Sequence, residues 1–232
     1  MSRRPGLSPE QLTIAWQSAS LLLDYPDPAL AERLELVERA SRELPGHVGE
    51  PLRACVVRLG EAPLETLEAD YVETFDSRRR HSLFLTYFAH GDTRKRGMAL
   101  LRFKQAYLAS GAVLDEAGGE LPDHLCVVLE YAATVDREQG RRLLLDHRAG
   151  LELLRMALTD SGSRWAGAVA AVTATLPALG GDEVTAIRRL AAEGPPEEEV
   201  GLTPYATPGF DPGPAVPAGP TPLPMPSFPG AR

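Results

Sequence analysis

Five histidines and two cysteines are the side chains of this 232-residue chain best suited to metal ligation or nucleophilic attack. His47, His81, His90, His124 and His147 stand at no two-ligand helical spacing with one another or with Cys55 and Cys126, so no zinc site is predicted. Asp123-His124 reverses the His-Asp order that metal-dependent phosphohydrolases use, and the dipeptide does not carry that chemistry. No Gly-rich loop ends in Lys-Ser/Thr, no G-x-G-x-x-G follows a strand, and neither a G-x-S-x-G elbow nor an activating cysteine setting occurs. The reading is that the chain is not an enzyme, with no metal and no covalent catalysis. Carboxylates scattered over several helices are the one catalytic arrangement left open, as a helical hydrolase or lyase.

Chemistry of another kind is concentrated between Tyr71 and Tyr107, in YVETFDSRRRHSLFLTYFAHGDTRKRGMALLRFKQAY. Seven of the chain's fourteen aromatic residues lie in these thirty-seven positions, beside an arginine triplet and a second basic cluster. Aromatic rings bury large areas at low entropic cost and arginine forks fix orientation, a mixture suited to gripping another protein. Tyr71, Phe75 and Arg78 recur at helical spacing and form a candidate recognition edge. The same pattern equally fits ordinary core rings beside a solvated basic face. A second constellation is ELPDHL, from Glu120 to Leu125. There Pro122 fits the first turn of a helix, Asp123 complements its positive end, and His124 is half-buried.

Helices must position these groups, because nearly every segment before residue 193 has helical period and helix punctuation. Ser8-Pro9 reads as an N-cap followed by proline at the first helical position, and Asp27-Pro28 repeats the device before ALAERLELVERASREL. Further helices are predicted in PLRACVVRLGEA, PLETLEADYVETF, TRKRGMALLRFKQAYLAS, PDHLCVVLEYAATV, RRLLLDHRAGLELLRMALTD, AGAVAAVTATL and DEVTAIRRLAAEG. Gly91-Asp92-Thr93 reads as a turn in which Asp92 or Thr93 caps the helix that starts near Arg94. In that helix Met98, Leu101, Gln105 and Leu108 share one face, with Leu100, Phe103 and Tyr107 beside it, and this width predicts burial. No repeat of fixed period occurs. The fold class is all-α: a single compact helical bundle over residues 1–193. From 194 onward twelve of thirty-nine residues are proline, which predicts a disordered tail over 194–232.

Composition narrows the function classes. A formal charge of -8 argues against a nucleic-acid partner, whose binders carry a basic field. Cys55 and Cys126 sit in amphipathic patterns as small apolar side chains and form no disulfide framework. No apolar run approaches the roughly 20 residues that cross a bilayer. Ser2-Arg3-Arg4 begins like a twin-arginine export signal, yet the plain apolar stretch such a signal needs is replaced by an amphipathic helix. The expectation is a soluble, cytoplasmic chain.

YVETFD, the RRR and LTYF of Arg78 to Phe88, GDTRKRGMALLRFKQAY and ELPDHL together resemble the respiratory nitrate reductase delta-subunit family of molybdenum-cofactor assembly chaperones. The resemblance spans Leu12 to Leu190 at bundle level and is most specific between Tyr71 and Leu125. It implies a helical cytoplasmic chaperone that binds the N-terminal segment of the apo catalytic subunit of nitrate reductase. It further implies that the chaperone keeps this client competent for cofactor insertion and delays its membrane attachment. The cofactor stays with the client, so none is assigned to this chain. Carried over by position, the candidate partner-binding residues are Tyr71, Phe75, Arg78, Arg79, Arg80, Tyr87, Asp92, Arg96, Asp123 and His124. In the expected mode an amphipathic client segment lies against exposed aromatics while Arg78 to Arg80 steer its acidic groups. The sequence departs from the family pattern in its long proline-rich tail and in His81, where a small residue or cysteine is expected. The alternative is a helical adaptor that recruits a partner through that tail.

Overall fold

Ser8 opens the first helix of the computed structural model with a reciprocal cap: its hydroxyl accepts from the Gln11 amide while the Gln11 side chain accepts from the Ser8 amide. The structure describes residues 6–114 and 120–193. Among them are eleven α-helices and no strand. These are α1 (Pro9–Leu23), α2 (Leu30–Ala40), α3 (Gly46–Gly60), α4 (Leu64–Tyr71), α5 (Tyr87–His90), α6 (Arg94–Ala109), α7 (Leu125–Thr134), α8 (Arg137–Asp146), α9 (Arg148–Asp160), α10 (Ala166–Ala174) and α11 (Gly181–Glu193). The all-α expectation holds. The proline-rich segment 194–232 and its boundary lie outside the described residues.

The centre of the core is α1, which packs against α7, α10 and α3. Ala15, Trp16, Ala19, Leu22 and Leu23 are buried along it, and each large apolar side chain so enclosed contributes about 1.5–3 kcal/mol. Its polar atoms are matched: the Trp16 indole N–H donates to Thr175 Oγ1 at 2.9 Å, and the Ser20 hydroxyl to the Cys126 carbonyl at 3.0 Å. Small residues in AGAVAAVTA let α10 approach α3 closely. A Cβ at Gly167 would stand 2.2 Å from the Pro51 carbonyl oxygen, so only glycine fits there.

Several local expectations are corrected. Pro28 lies in a turn and α2 begins at Leu30, because the Asp27 carboxylate accepts from the Ala29 amide and makes a turn rather than a cap. The stretch from Arg141 to Asp160 is divided at His147, so α8 and α9 are separate helices. Neither Asp92 nor Thr93 caps α6: the Thr93 hydroxyl donates to the His90 carbonyl, and Asp92 pairs with Arg96. Pro122 and Asp123 precede α7 instead of opening it. The largest correction concerns the buried face of α6. Met98, Leu101 and Leu108 are 66%, 44% and 63% exposed, and the helix docks through Ala99, Phe103 and Tyr107 instead. Two aromatic rings outweigh three flexible aliphatic chains in choosing the core side.

Two features between α4 and α7 shape the region of interest. After Tyr71 the helix widens into a π turn, Val72–Asp76, closed by the Ser77 amide donating to the Val72 carbonyl. The chain then runs through a short 3-10 turn, Arg79–His81, into Leu83–Leu85, where it pairs with the segment before α7. The Leu85 amide donates to the Asp123 carbonyl and the Leu125 amide to the Leu83 carbonyl, at 3.0 and 2.8 Å.

Candidate functional site

Tyr71 and Phe75, four residues apart across the start of the π turn, lie side by side with centroids 4.7 Å apart. Both rings lean edge-on against Trp165, at 5.5 and 5.4 Å, and Tyr25 meets Tyr71 from the end of α1 at 5.3 Å. The Tyr71 hydroxyl donates to the Leu23 carbonyl at 2.9 Å, and burial pushes its pKa up, so the phenol stays protonated. These rings are therefore mainly core, and the expectation of freely exposed aromatics is corrected. One flank of the cluster nevertheless remains open.

That flank is part of a groove of about 530 Å3 between α1, the π turn, Leu83-Phe84 and the start of α7. Leu21, Tyr25, Phe75, Phe84 and Val127 give it apolar walls, while Asp24, Asp76, Glu120 and Glu130 bring four carboxylates, of which Asp24 is paired with Arg33 from α2 at 2.7 Å. Among the described residues no lysine or arginine lines it directly. His124 sits within it, edge-on to Phe84 at 5.2 Å, with Nδ1 3.8 Å from Glu120. Burial lowers the His124 pKa against the opposing pull of Glu120, Asp123 and Asp24, so the ring is neutral near pH 7. A groove of this composition favours an apolar ligand that carries positive charge.

Behind the groove lies a buried polar network built from the two sequence constellations. Asp123 is 0% exposed, and its Oδ2 accepts from the Thr86 amide at 3.1 Å and the Thr86 hydroxyl at 2.5 Å. Arg96 donates from Nε to Thr86 Oγ1 at 3.2 Å, pairs with Asp92 at 2.9 Å and stands 3.8 Å from Asp123. Its guanidinium lies over the Phe84 ring at 5.1 Å. Arg96 and Asp123 thus hold Phe84 and His124 in place from within, while Asp92, its side chain 72% exposed, anchors Arg96 from the surface.

The remaining candidates are elsewhere. Arg78 pairs with Glu73 at 2.9 Å on the surface. Tyr87 is buried beside Phe88, with centroids 6.0 Å apart. Arg79 and Arg80 border a second, smaller groove of about 310 Å3 with Phe88, Met156, Asp160 and Leu190. They do not line the groove of Tyr71 and Phe75. His81, the unusual residue after the triplet, is buried with Nδ1 3.0 Å from the Thr74 carbonyl oxygen, and desolvation lowers its pKa. Both thiols are disarmed, since burial pushes Cys55 up to about 12 and shifts Cys126 in the same direction. Among the described residues no cluster of metal-ligating side chains occurs.

Sequence reasoning missed Asp24, Tyr25, Phe84 and Glu130. The signals were present: Asp24-Tyr25 ends a long apolar helix with a charge and a ring, and Glu130 is an exposed acid inside the otherwise apolar CVVLEYAAT.

The chain resembles known proteins over this same region. Residues 41–171 match the family described as nitrate reductase delta subunit. A Bacillus subtilis protein named "Probable nitrate reductase molybdenum cofactor assembly chaperone NarJ" is 30% identical over 168 residues, which cover 72% of this chain and 90% of the relative. The Escherichia coli nitrate reductase molybdenum cofactor assembly chaperone NarJ is 35% identical over 150 residues, 63% of each chain. The nitrate reductase-like protein NarX of Mycobacterium tuberculosis is 41% identical over 167 residues; the match covers 72% of this chain and only 25% of NarX. The fold matches a crystal structure of an Archaeoglobus fulgidus protein described as a redox enzyme maturation protein, with TM-score 0.51, 22% identity, and coverage of 75% of this chain and 96% of the other. No helix among the described residues is long and apolar enough to cross a membrane. The chain belongs to the nitrate reductase delta subunit family.

Proposed function

We propose that this protein is an assembly chaperone for the catalytic subunit of a nitrate reductase, and that the acidic groove beside Tyr71, Phe75 and His124 holds that subunit's N-terminal segment. The chaperone keeps the apo subunit open for molybdenum-cofactor insertion and delays its membrane attachment. The supporting observation is the groove itself: rings and aliphatic walls under the carboxylates of Asp76, Glu120 and Glu130, beside an Asp24 that Arg33 already pairs. An amphipathic helix with an apolar face and basic flanks is the ligand this chemistry selects. Asp123, Arg96 and Thr86 fix the far wall in advance, which reduces the ordering cost of binding.

This reading moves the electrostatic partner of the client from Arg78–Arg80 to the carboxylates, and so inverts the sign of the charge expected on the client. The test is co-expression with the host's nitrate reductase catalytic subunit, with and without its N-terminal segment, reading complex formation and molybdenum content. Capture that needs the segment, with cofactor loading that needs the chaperone, is the expected result. Capture of both forms equally would remove the segment from the account.

A further inference from the structure

Helix α6 carries the chemistry that the acidic groove selects. Its sixteen residues, RKRGMALLRFKQAYLA, contain no carboxylate. Ala99, Phe103 and Tyr107 face inward, which leaves Met98, Leu101, Gln105 and Leu108 on one outward strip. On a helical projection Lys104 flanks this strip on one side and Lys95 and Arg102 flank it on the other, all exposed. The outer half of α6 is therefore a basic amphipathic surface about 24 Å long. Three large aliphatic side chains in a row on one helix form a patch rather than scattered exposure.

We propose that this face is an interface with a second copy of the same chain, with α6 of one copy seated in the acidic groove of the other. Charge complementarity selects the occupant: the groove offers Asp76, Glu120 and Glu130 around apolar walls beside the Asp24–Arg33 pair, and α6 offers cations around an apolar strip. Arg96 reaches from the inner side of α6 over Phe84, whose ring lines the groove, so helix and groove border one another within one copy. In the proposed dimer a two-fold exchange places each α6 strip against the opposite groove. The inference rests on the groove being the client site. Self-association then covers the groove until a client arrives, and α6 and client compete for it.

The chain contains only two lysines, Lys95 and Lys104, and both are on α6. Zero-length coupling of amines to carboxylates thus reports on this helix almost alone. Full-length protein is mixed as equal parts of ordinary and 15N-labelled chain, coupled, digested and read by mass spectrometry, with sedimentation velocity on the same samples. The expected products are mixed-isotope links from Lys95 or Lys104 to Glu120, Glu130, Asp24 or Asp76, together with a concentration-dependent dimer. Met98→Glu with Leu101→Glu should weaken the dimer by at least about tenfold, and added salt should weaken the unmodified dimer. A peptide of the client's N-terminal segment should dissociate it. A monomer at all concentrations, or links confined to single chains, overturns the proposal, as does a dimer indifferent to the α6 substitutions. Binding of α6 to phosphatidylglycerol vesicles without links between copies would assign the face to a lipid surface and overturn it equally. Peptide titration on the same samples separates the two readings: a peptide that binds a strictly monomeric chain leaves the client site standing and removes only the self-association.

Discussion

The groove and the network behind it use the same stretches of chain for opposite purposes. Thr86, Arg96 and Asp123 are enclosed and bonded to one another, whereas Tyr25, Phe75, Glu120 and Glu130 border a space that is open among the described residues. The two are joined at Phe84 and His124, each of which touches both. Unusual polar residues in a helical sequence thus divide into those that hold a shape and those that use it, and a motif alone does not say which. Asp123 resembles a contact residue in sequence, yet it has no exposed surface.

Substitution should separate the two classes. Asp123→Leu removes the acceptor of the Thr86 amide and hydroxyl and strands the Arg96 charge. It should cost about 3–5 kcal/mol, seen as a thermal midpoint roughly 10 °C lower. A midpoint within 2 °C of the parent, on the order of one kcal/mol or less, would deny the network its structural role. Glu120→Lys with Glu130→Lys should leave the midpoint nearly unchanged while weakening client-peptide affinity about ten- to a hundredfold, most strongly at low salt. If stability fell and affinity did not, the assignment of the two regions would be reversed.

Acidification sharpens the same contrast. His81, His124 and His147 all have their pKa lowered by burial from the ordinary 6.5. The unfolded chain therefore binds protons first, so their contribution is complete above about pH 6.5 and is lost as pH falls below it. Denaturant unfolding at pH 7.5 and pH 5.5 should show lower stability at the acidic end, and His124→Asn should flatten the slope. Equal stability at the two pH values would contradict the burial of these rings. The smallest effect is expected at Arg78, whose exposed pair with Glu73 should contribute no more than about 1 kcal/mol. Arg78→Ala should therefore melt within about 3 °C of the parent.

The fold was largely readable from the sequence, and the site only in part. Ser8-Pro9 and the apolar period of α1 specify a helix by local rules, and the structure has it with the expected cap. Local rules failed where two elements compete for one surface. The α6 strip of Met98, Leu101 and Leu108 has a good helical period, but Phe103 and Tyr107 took the core side, and no periodicity states which face a neighbour will cover. The segment YVETF gave the correct rings at the correct spacing. It could not announce the π turn that sets them against Trp165, a partner ninety residues away. The acidic rim was invisible for the same reason, since Asp24 and Glu130 come from helices that the chain brings together only on folding. The arginine triplet drew attention because it is dense in sequence, yet Arg79 and Arg80 border another groove and Arg78 pairs with Glu73 on the surface.

Titration calorimetry with a synthetic peptide of the client's N-terminal segment decides which face holds the client, using the parent protein, the Glu120→Lys/Glu130→Lys variant and an Arg79→Glu/Arg80→Glu variant. Reversing the two carboxylates should remove most of the affinity, and reversing the two arginines should leave it within about threefold of the parent. Loss of binding in the arginine variant with full binding in the carboxylate variant would contradict this assignment and return the client to the arginine face.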